Sequence, residues 1–426
     1  MAVAAVKVVH VSYTARAGGA AVAMHRLHSA LRGEEVRSEV LAVFTNGLAG
    51  SGVHEAFGPT GMLLSRVSAR LGAVAGRLRA DASSHGCSVN VLPNTIANTI
   101  NRLSPDIVHL HWLGANTLPI QDLRRIKAPI VWTLHDMWPF CGADHCSFND
   151  RWKTGYPPRS GASQGTGLDI DAYVYGAKRR WWRGVALDTV SPSTWMHECV
   201  TSAAMWHGRP DVHHHVIANG LPLDVFRPLD RAECRRAIGI PVDATVILFG
   251  AHYCDDHIKG ADLLAAAIPS LQLPGQNLMG VTFGASGGPS LAPIGSLPTM
   301  HLGTLGDPGE LAKVYSCADV MAVPSRMESF CQTASEAQAC GIPVACFDAT
   351  GLRDVVEHEA TGYRATPFEP AALAAGIQWC VENRERHAAL EKAARARAET
   401  LFGDRIMAER YTRLYGEILR RPRPTR

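Results

Sequence analysis

The sequence predicts an α/β protein built as two doubly wound parallel sheets in tandem. Three observations carry this expectation. The chain is 426 residues long, short β-branched runs alternate with helical patterns, and a mid-chain turn is followed by a fresh first strand. A chain of this length exceeds what one ordinary hydrophobic core serves, so two domains of roughly 200 residues are expected. Nearly continuous apolar runs bounded by turn residues are the pattern of strands covered by helices on both faces.

In the first half, strands are expected at 6–13, 39–44, 107–112, 130–135, 187–190 and 215–218; in the second, at 245–250, 279–284, 300–305, 320–324, 343–347 and 362–365. The break falls at Asn219-Gly220-Leu221-Pro222, a turn followed by the extended Val225 to Pro228. This gives domains over 1–222 and 223–403. An amphipathic helix and basic tail occupy 404–426, the helix expected to pack back on the first domain. Two such units facing one another form a cleft at the carboxyl ends of their strands, where open α/β sheets bind ligands. The Gly-, Ser- and Pro-rich stretch from Ser147 to Asp171 interrupts the alternation and reads as a long loop at its edge.

Composition narrows the function. With 46% apolar and 19% charged residues and a formal charge of +3, the chain lacks the basic excess of a nucleic-acid binder. No apolar run reaches the roughly 18 residues of a membrane span, and Met1 to His10 runs into a strand without the features of a signal peptide. Eleven scattered cysteines, an odd number, point to reduced thiols and a cytoplasmic setting.

The most informative stretch runs from Val323 through Pro324-Ser325-Arg326-Met327-Glu328-Ser329-Phe330-Cys331-Gln332-Thr333 to Glu336. It ends a strand, turns through polar residues and enters a helix. Backbone N–H groups near Phe330 to Thr333 would lack intrahelical acceptors and could hold an anion. Glu328 before the helix and Glu336 within it could hydrogen-bond hydroxyls at opposite ends of one ligand with a diphosphate in its middle. A glutamate, seven residues and a second glutamate in a strand–loop–helix setting resemble the donor motif of retaining family 4 glycosyltransferases. The fold implied is GT-B, two Rossmann-like domains facing across a cleft.

That resemblance implies roles residue by residue. Glu328 would contact the transferred sugar, Glu336 the ribose, and the N–H groups of Phe330, Cys331 and Gln332 the phosphates. Gly250 and His252 at the end of the second domain's first strand, with Lys259-Gly260 beyond, would place an ammonium on the diphosphate. The arginine usual after the strand glycine is replaced by Ala251, so His252 or His257 would supplement Lys259. Gly18 and Gly19 form a loop where backbone can approach a ligand, and His135 with Asp136 ends a strand where an imidazole could donate to a sugar hydroxyl or support the acceptor. Around His135 the chain is similar to the colanic-acid-type branch, through Arg151 to Gly155 and Lys178 to Trp182 to Ser193.

The reaction implied is transfer of a sugar from a nucleotide-diphosphate donor to a hydroxyl of a glycan, lipid-linked or small-molecule acceptor. No cofactor is expected. No metal is expected either: Cys141, His145 and Cys146 fall short of a tetrahedral set. His109 and His111 alternate along one strand face and read as a ligand pair or as ordinary strand-end histidines; His213 to His215 reads as a solvated run before a strand. The apolar positions of Leu63 to Leu78 with Arg66, Arg70, Arg77 and Arg79, and the run Lys178 to Arg183, suggest either core helices with basic faces or peripheral contact with an anionic membrane. A nucleotide-sugar epimerase of the same fold and a non-catalytic nucleotide- or glycan-binding protein are the rival readings.

Overall fold

The computed structural model describes residues 5–32, 36–50, 52–58, 61–62, 65–67, 69–70, 72, 74, 86–157, 168–254, 256–285 and 294–422. The chain forms two compact units, Met1–Ile217 together with Met407–Arg426, and Ala218–Ile406.

In the first unit, seven strands pair in parallel: β1 (Val6–Thr14), β2 (Val36–Phe44), β3 (Val53–Glu55), β4 (Ile107–Leu110), β5 (Ile130–Thr133), β6 (Leu187–Ser191) and β7 (Val212–Val216). Their order across the sheet is β3-β2-β1-β4-β5-β6-β7. Side chains alternate across a strand, and Val8, Ile107 and Val131 bury one face against Met407, Tyr411, Leu414 and Tyr415 of the helix Asp404–Arg420. The sequence reading misses β3, whose three residues are too few for any periodicity to show. It also misplaces the last strand. His213, His214 and His215 lie inside β7, where His214 Nδ1 meets Thr189 Oγ1 at 2.7 Å and His215 Nε2 meets Asp188 Oδ1 at 2.8 Å.

The second unit repeats the plan with six parallel strands: β8 (Thr245–Tyr253), β9 (Leu278–Ala285), β10 (Thr299–His301), β11 (Val320–Val323), β12 (Val344–Phe347) and β13 (Gly362–Ala365), in the order β10-β9-β8-β11-β12-β13. Alternation gives it two cores. Val246, Leu248, Met321, Val323, Val344 and Cys346 pack with Phe226, Tyr315, Phe330 and Phe402 on one face, while Ile247, Phe249, Ala322, Ala345 and Phe347 pack with Leu373 and Ile377 on the other. β8 runs on past Gly250 to Tyr253 through a register shift.

All eleven cysteines are free thiols. Among the described residues, no helix is long and apolar enough to cross a membrane. Leu63, Leu64, Leu71, Ala75, Leu78, Arg77 and Arg79 of the suggested basic helix lie outside the described residues. In the run Lys178 to Arg183 the arginines Arg179, Arg180 and Arg183 are exposed, while Lys178 and Trp182 face inward. Lys178 is fully buried and its Nζ donates to the carbonyls of Trp138, Cys141 (3.2 Å) and Gly142 (2.7 Å). Trp182 is buried too, its indole N–H donating to Ile120 O at 2.8 Å.

Candidate active site

In the second unit, the loop after β11 carries the first glutamate. Its backbone is pinned from a neighbouring turn: Glu328 N–H donates to Thr350 Oγ1 (3.1 Å), and Gly351 N–H donates to the Glu328 carbonyl (2.9 Å). A Cβ on Gly351 would stand 2.5 Å from Ser329 O, so only glycine lets these segments meet. The Glu328 side chain is 11% exposed, and its Oε1 accepts from Lys259 Nζ at 2.8 Å and Ser325 Oγ at 2.9 Å. Among the described residues its Oε2 has no partner, which leaves that oxygen to accept from a ligand hydroxyl.

Lys259 ends a short 3₁₀ turn whose start is capped by Asp256, its Oδ1 accepting from Ile258 N–H at 3.0 Å. Gly260 follows at φ 71°, and Arg326 N–H ties the glutamate loop to Ile258 O at 2.7 Å. Burial, the largest single influence, works against the Lys259 charge, but the surrounding groups, Glu328 foremost, together hold the ammonium above its ordinary pKa. The site therefore keeps a fixed positive charge at neutral pH. Arg326 in the same loop is committed elsewhere, with both Nη atoms on Asp262 (2.8 and 2.6 Å). Ala251, where an arginine was expected, is buried inside β8.

The helix Gln332–Ala339 starts at Cys331, a non-glycine residue at φ 82°. Such strain persists where the surroundings over-determine it and is enriched at ligand sites. The Cys331 thiol is pushed up to about 12 by burial and by Glu328, so it is a neutral thiol rather than a nucleophile. The Phe330 ring is core, edge-on to Phe402 at 5.4 Å, so only its backbone is available to a ligand. Glu336 is buried, and its Oε2 accepts from Tyr315 OH at 2.6 Å. Gly250 is required by packing, since a Cβ would lie 2.2 Å from the Phe283 ring. His252 is exposed, and burial followed by the nearby Lys259 lowers its pKa, keeping it neutral.

In the first unit, Gly18 caps the helix Gly19–Leu31 at φ 89°, a conformation that favours glycine, whereas Gly19 has open space around it. His135 and Asp136 follow β5 and are each braced by a hydrogen-bonded chain. His135 Nε2 meets His111 Nδ1 at 3.0 Å, and His111 Nε2 meets His10 Nδ1 at 3.0 Å. Asp136 Oδ2 meets His145 Nδ1 at 2.5 Å, and His145 Nε2 meets Ser88 Oγ at 2.7 Å. The second chain has the connectivity of a serine–histidine–aspartate triad, but Ser88 is buried and its Oγ already accepts from Ala115 N–H at 3.1 Å. It orients Asp136 rather than presenting a nucleophile.

Residues 17–225 match the model of Glycosyltransferase Family 4, and residues 230–397 that of Glycosyl transferases group 1. The chain belongs to the family 4/group 1 glycosyltransferases. The D-inositol 3-phosphate glycosyltransferase of Thermobispora bispora is 34% identical over 231 residues, 51% of this chain and 53% of that protein. The chain spans about half the length of the curated relatives it matches. Sucrose-phosphate synthase from Thermosynechococcus elongatus is similar in structure with a TM-score of 0.70 at 19% identity, covering 97% of this chain and 99% of that one. HepE of Anabaena, in complex with UDP and glucose, gives 0.66 at 18% identity, covering 97% and 100%. At these identities the likeness is one of fold, and the fold is GT-B.

The family motif residues thus fall into two clusters. Lys259 and Glu328 touch, with the neutral Cys331 thiol near both, and His135 stands beside Asp136. Sequence reading gave Ser325 and His145 no bracing role and missed Tyr315, Thr350 and Gly351 in one unit, His10 and Ser88 in the other. His10 could have been found from the register, because it is paired directly with His109 across β1 and β4.

Proposed function

We propose that the chain is a retaining glycosyltransferase that moves a sugar from a nucleoside-diphosphate donor to an acceptor hydroxyl. The observation that carries this reading is the Glu328–Lys259 contact at the strained start of the helix Gln332–Ala339. It combines an acceptor oxygen for a sugar hydroxyl with a permanent cation and helix N–H groups for a leaving diphosphate.

In this scheme Glu328 Oε2 holds a hydroxyl of the transferred sugar and Lys259 stabilises negative charge on the departing phosphate. Glu336, oriented by Tyr315, holds the ribose. Neither glutamate is the nucleophile of a two-carboxylate mechanism: Glu336 is buried on Tyr315 and Glu328 is paired with Lys259. The acceptor hydroxyl attacks from the leaving-group face, the C–O bond to the phosphate breaks as the new one forms, and the phosphate oxygen takes the hydroxyl proton. The protein supplies positioning and charge stabilisation, and the scheme draws on no metal. His135, in the first unit, donates to a hydroxyl of a bound ligand.

Within the family we assign the chain to the colanic-acid-type branch. Support comes from packing among the runs that carry the likeness: Trp132, Trp138 and Trp182 are in mutual ring contact, and Lys178 binds the turn after His135. The names of the relatives and neighbours set the first trials, UDP-glucose as donor and an inositol phosphate as acceptor, beside lipid-linked and glycan acceptors. A panel of nucleotide sugars, with and without acceptor extract and with product analysis, tests the reading. Acceptor-dependent product with retained anomeric configuration is expected. Conversion without acceptor would identify an epimerase, and binding without turnover a non-catalytic protein.

A further inference from the structure

The hydrogen-bonded histidines of the first unit have a directional logic. His10 and His109 are register partners on β1 and β4, and His111 lies two residues beyond His109, so all three point to one face of the sheet. His10, His109 and His111 are buried, while His135 at the end of the chain is only partly so. Burial holds the first three far below the ordinary histidine pKa and lowers His135 to about 4, so each ring is neutral at physiological pH.

A neutral imidazole has one N–H and one lone pair. His111 uses both nitrogens, one on His10 and one on His135, at 3.0 Å each. It must therefore donate in one contact and accept in the other, which leaves two arrangements of protons. In one, His10 Nδ1–H donates to His111 Nε2, His111 Nδ1–H donates to His135 Nε2, and His135 carries its proton on Nδ1. In the other every proton moves to Nε2, including that of His10. The far nitrogen of His10 decides between them: Nε2 is buried with no hydrogen-bond partner among the described residues. His109 cannot serve it, because its own nitrogens meet Tyr415 OH and Thr133 Oγ1 at 2.7 Å each. A bare lone pair there is tolerable, whereas an N–H stripped of water with no acceptor is the rarer and costlier fault.

We propose that His10 and His111 are positioning residues that lock His135 in the Nδ1–H tautomer, so that it meets a bound ligand as a hydrogen-bond donor and not as a base. The donor role rests on the function proposed above; the tautomer does not. A metal ion on His10, His109 and His111, whose ring nitrogens lie within 4.8 Å of one another, fits less well. Their hydrogen-bond partners are other imidazoles and hydroxyls, so a divalent ion would bring an uncompensated double charge into the core.

The test is a long-range ¹H–¹⁵N correlation spectrum of the full chain labelled with ¹⁵N-histidine, with His135 assigned by loss of its signals in His135→Gln. The expected result is a protonated Nδ1 and an unprotonated Nε2 for His135 in the unaltered protein. His111→Leu should release the lock and give mixed tautomers. His111→Asn, whose amide can donate from near the Nδ1 position, should restore it. Transfer by His111→Leu should lose about tenfold in kcat, the loss of roughly one transition-state hydrogen bond, with donor KM unchanged. A proton on Nε2 of His135 in the unaltered protein, or stoichiometric zinc that disappears in His111→Leu, overturns the proposal. If the Nδ1–H signal is found but His135→Gln transfers normally, the tautomer stands and the donor role of His135 falls.

Discussion

At Gly260 the backbone sits at φ 71° and a Cβ would lie 2.0 Å from the Pro324 carbonyl oxygen. Both facts forbid a side chain immediately after Lys259. Gly260→Ala should cost about 1–3 kcal/mol of stability and weaken donor binding, because relief of the clash must move either the Lys259 turn or the glutamate loop. Chemical denaturation with calorimetric donor titration checks this; an unchanged midpoint and affinity would show that the two segments are not so tightly coupled. Lys259, Glu328 and Glu336 stand out in the sequence by spacing and chain context, and the structure brings the first two into contact. The requirement for Gly260 was not legible there, since its reason lies in Pro324, far along the chain. Ala251 could be read only as a missing cation; its burial in β8 shows that the position belongs to the core.

Among the elements, the parallel strands were the most readable, because strands buried on both faces are continuous apolar runs. β3 and the true start of β7 were not, one being three residues long and the other written in histidines. Within the segment Lys178 to Arg183, the lysine has an internal role that composition alone does not reveal. Three carbonyls of the turn after His135 consume the three donors of the Lys178 ammonium. The Trp138 ring adds a cation–π contact at 3.7 Å. Lys178 thereby fastens the helix Ile170–Trp181 to the loop that carries His135 and Asp136. Lys178→Met should leave those carbonyls buried and unpaired, at a cost of about 3–5 kcal/mol, and should lower transfer through disorder of that loop. Thermal denaturation and turnover of the variant measure both; a stability within ~0.5 kcal/mol of the parent would rule out this fastening role.

On the scale of the whole molecule, the buried histidines give the fold a pH dependence. His10, His109 and His111 are held far below their ordinary pKa, and His28 and His135 are lowered to about 4, in every case with burial as the leading cause. In the unfolded chain these groups protonate near 6.5, so below that pH the unfolded state binds more protons and stability is lost. The loss runs from about pH 6.5 down toward 4, each such histidine contributing up to ~1.4 kcal/mol per pH unit. The melting temperature should therefore fall steeply between pH 6.5 and 4.5 and change little between 7 and 8. A flat acid limb would mean the imidazoles are accessible in the folded state.

The two-sheet architecture was readable from sequence, as was the strand–loop–helix setting of Glu328 and Glu336, whereas the braces behind these residues arise from strand register and long-range contacts. The central claim is that Glu328 acts on the transferred sugar while the diphosphate is held by other groups. Its most direct test compares Glu328→Ala and Glu328→Gln with the parent, using the donor found in the panel and measuring both transfer and nucleoside-diphosphate affinity. Transfer should fall by about a thousandfold or more, some 4 kcal/mol of transition-state stabilisation, with diphosphate affinity nearly unchanged. Turnover that survives in either variant, or a loss confined to nucleotide binding, would contradict the account.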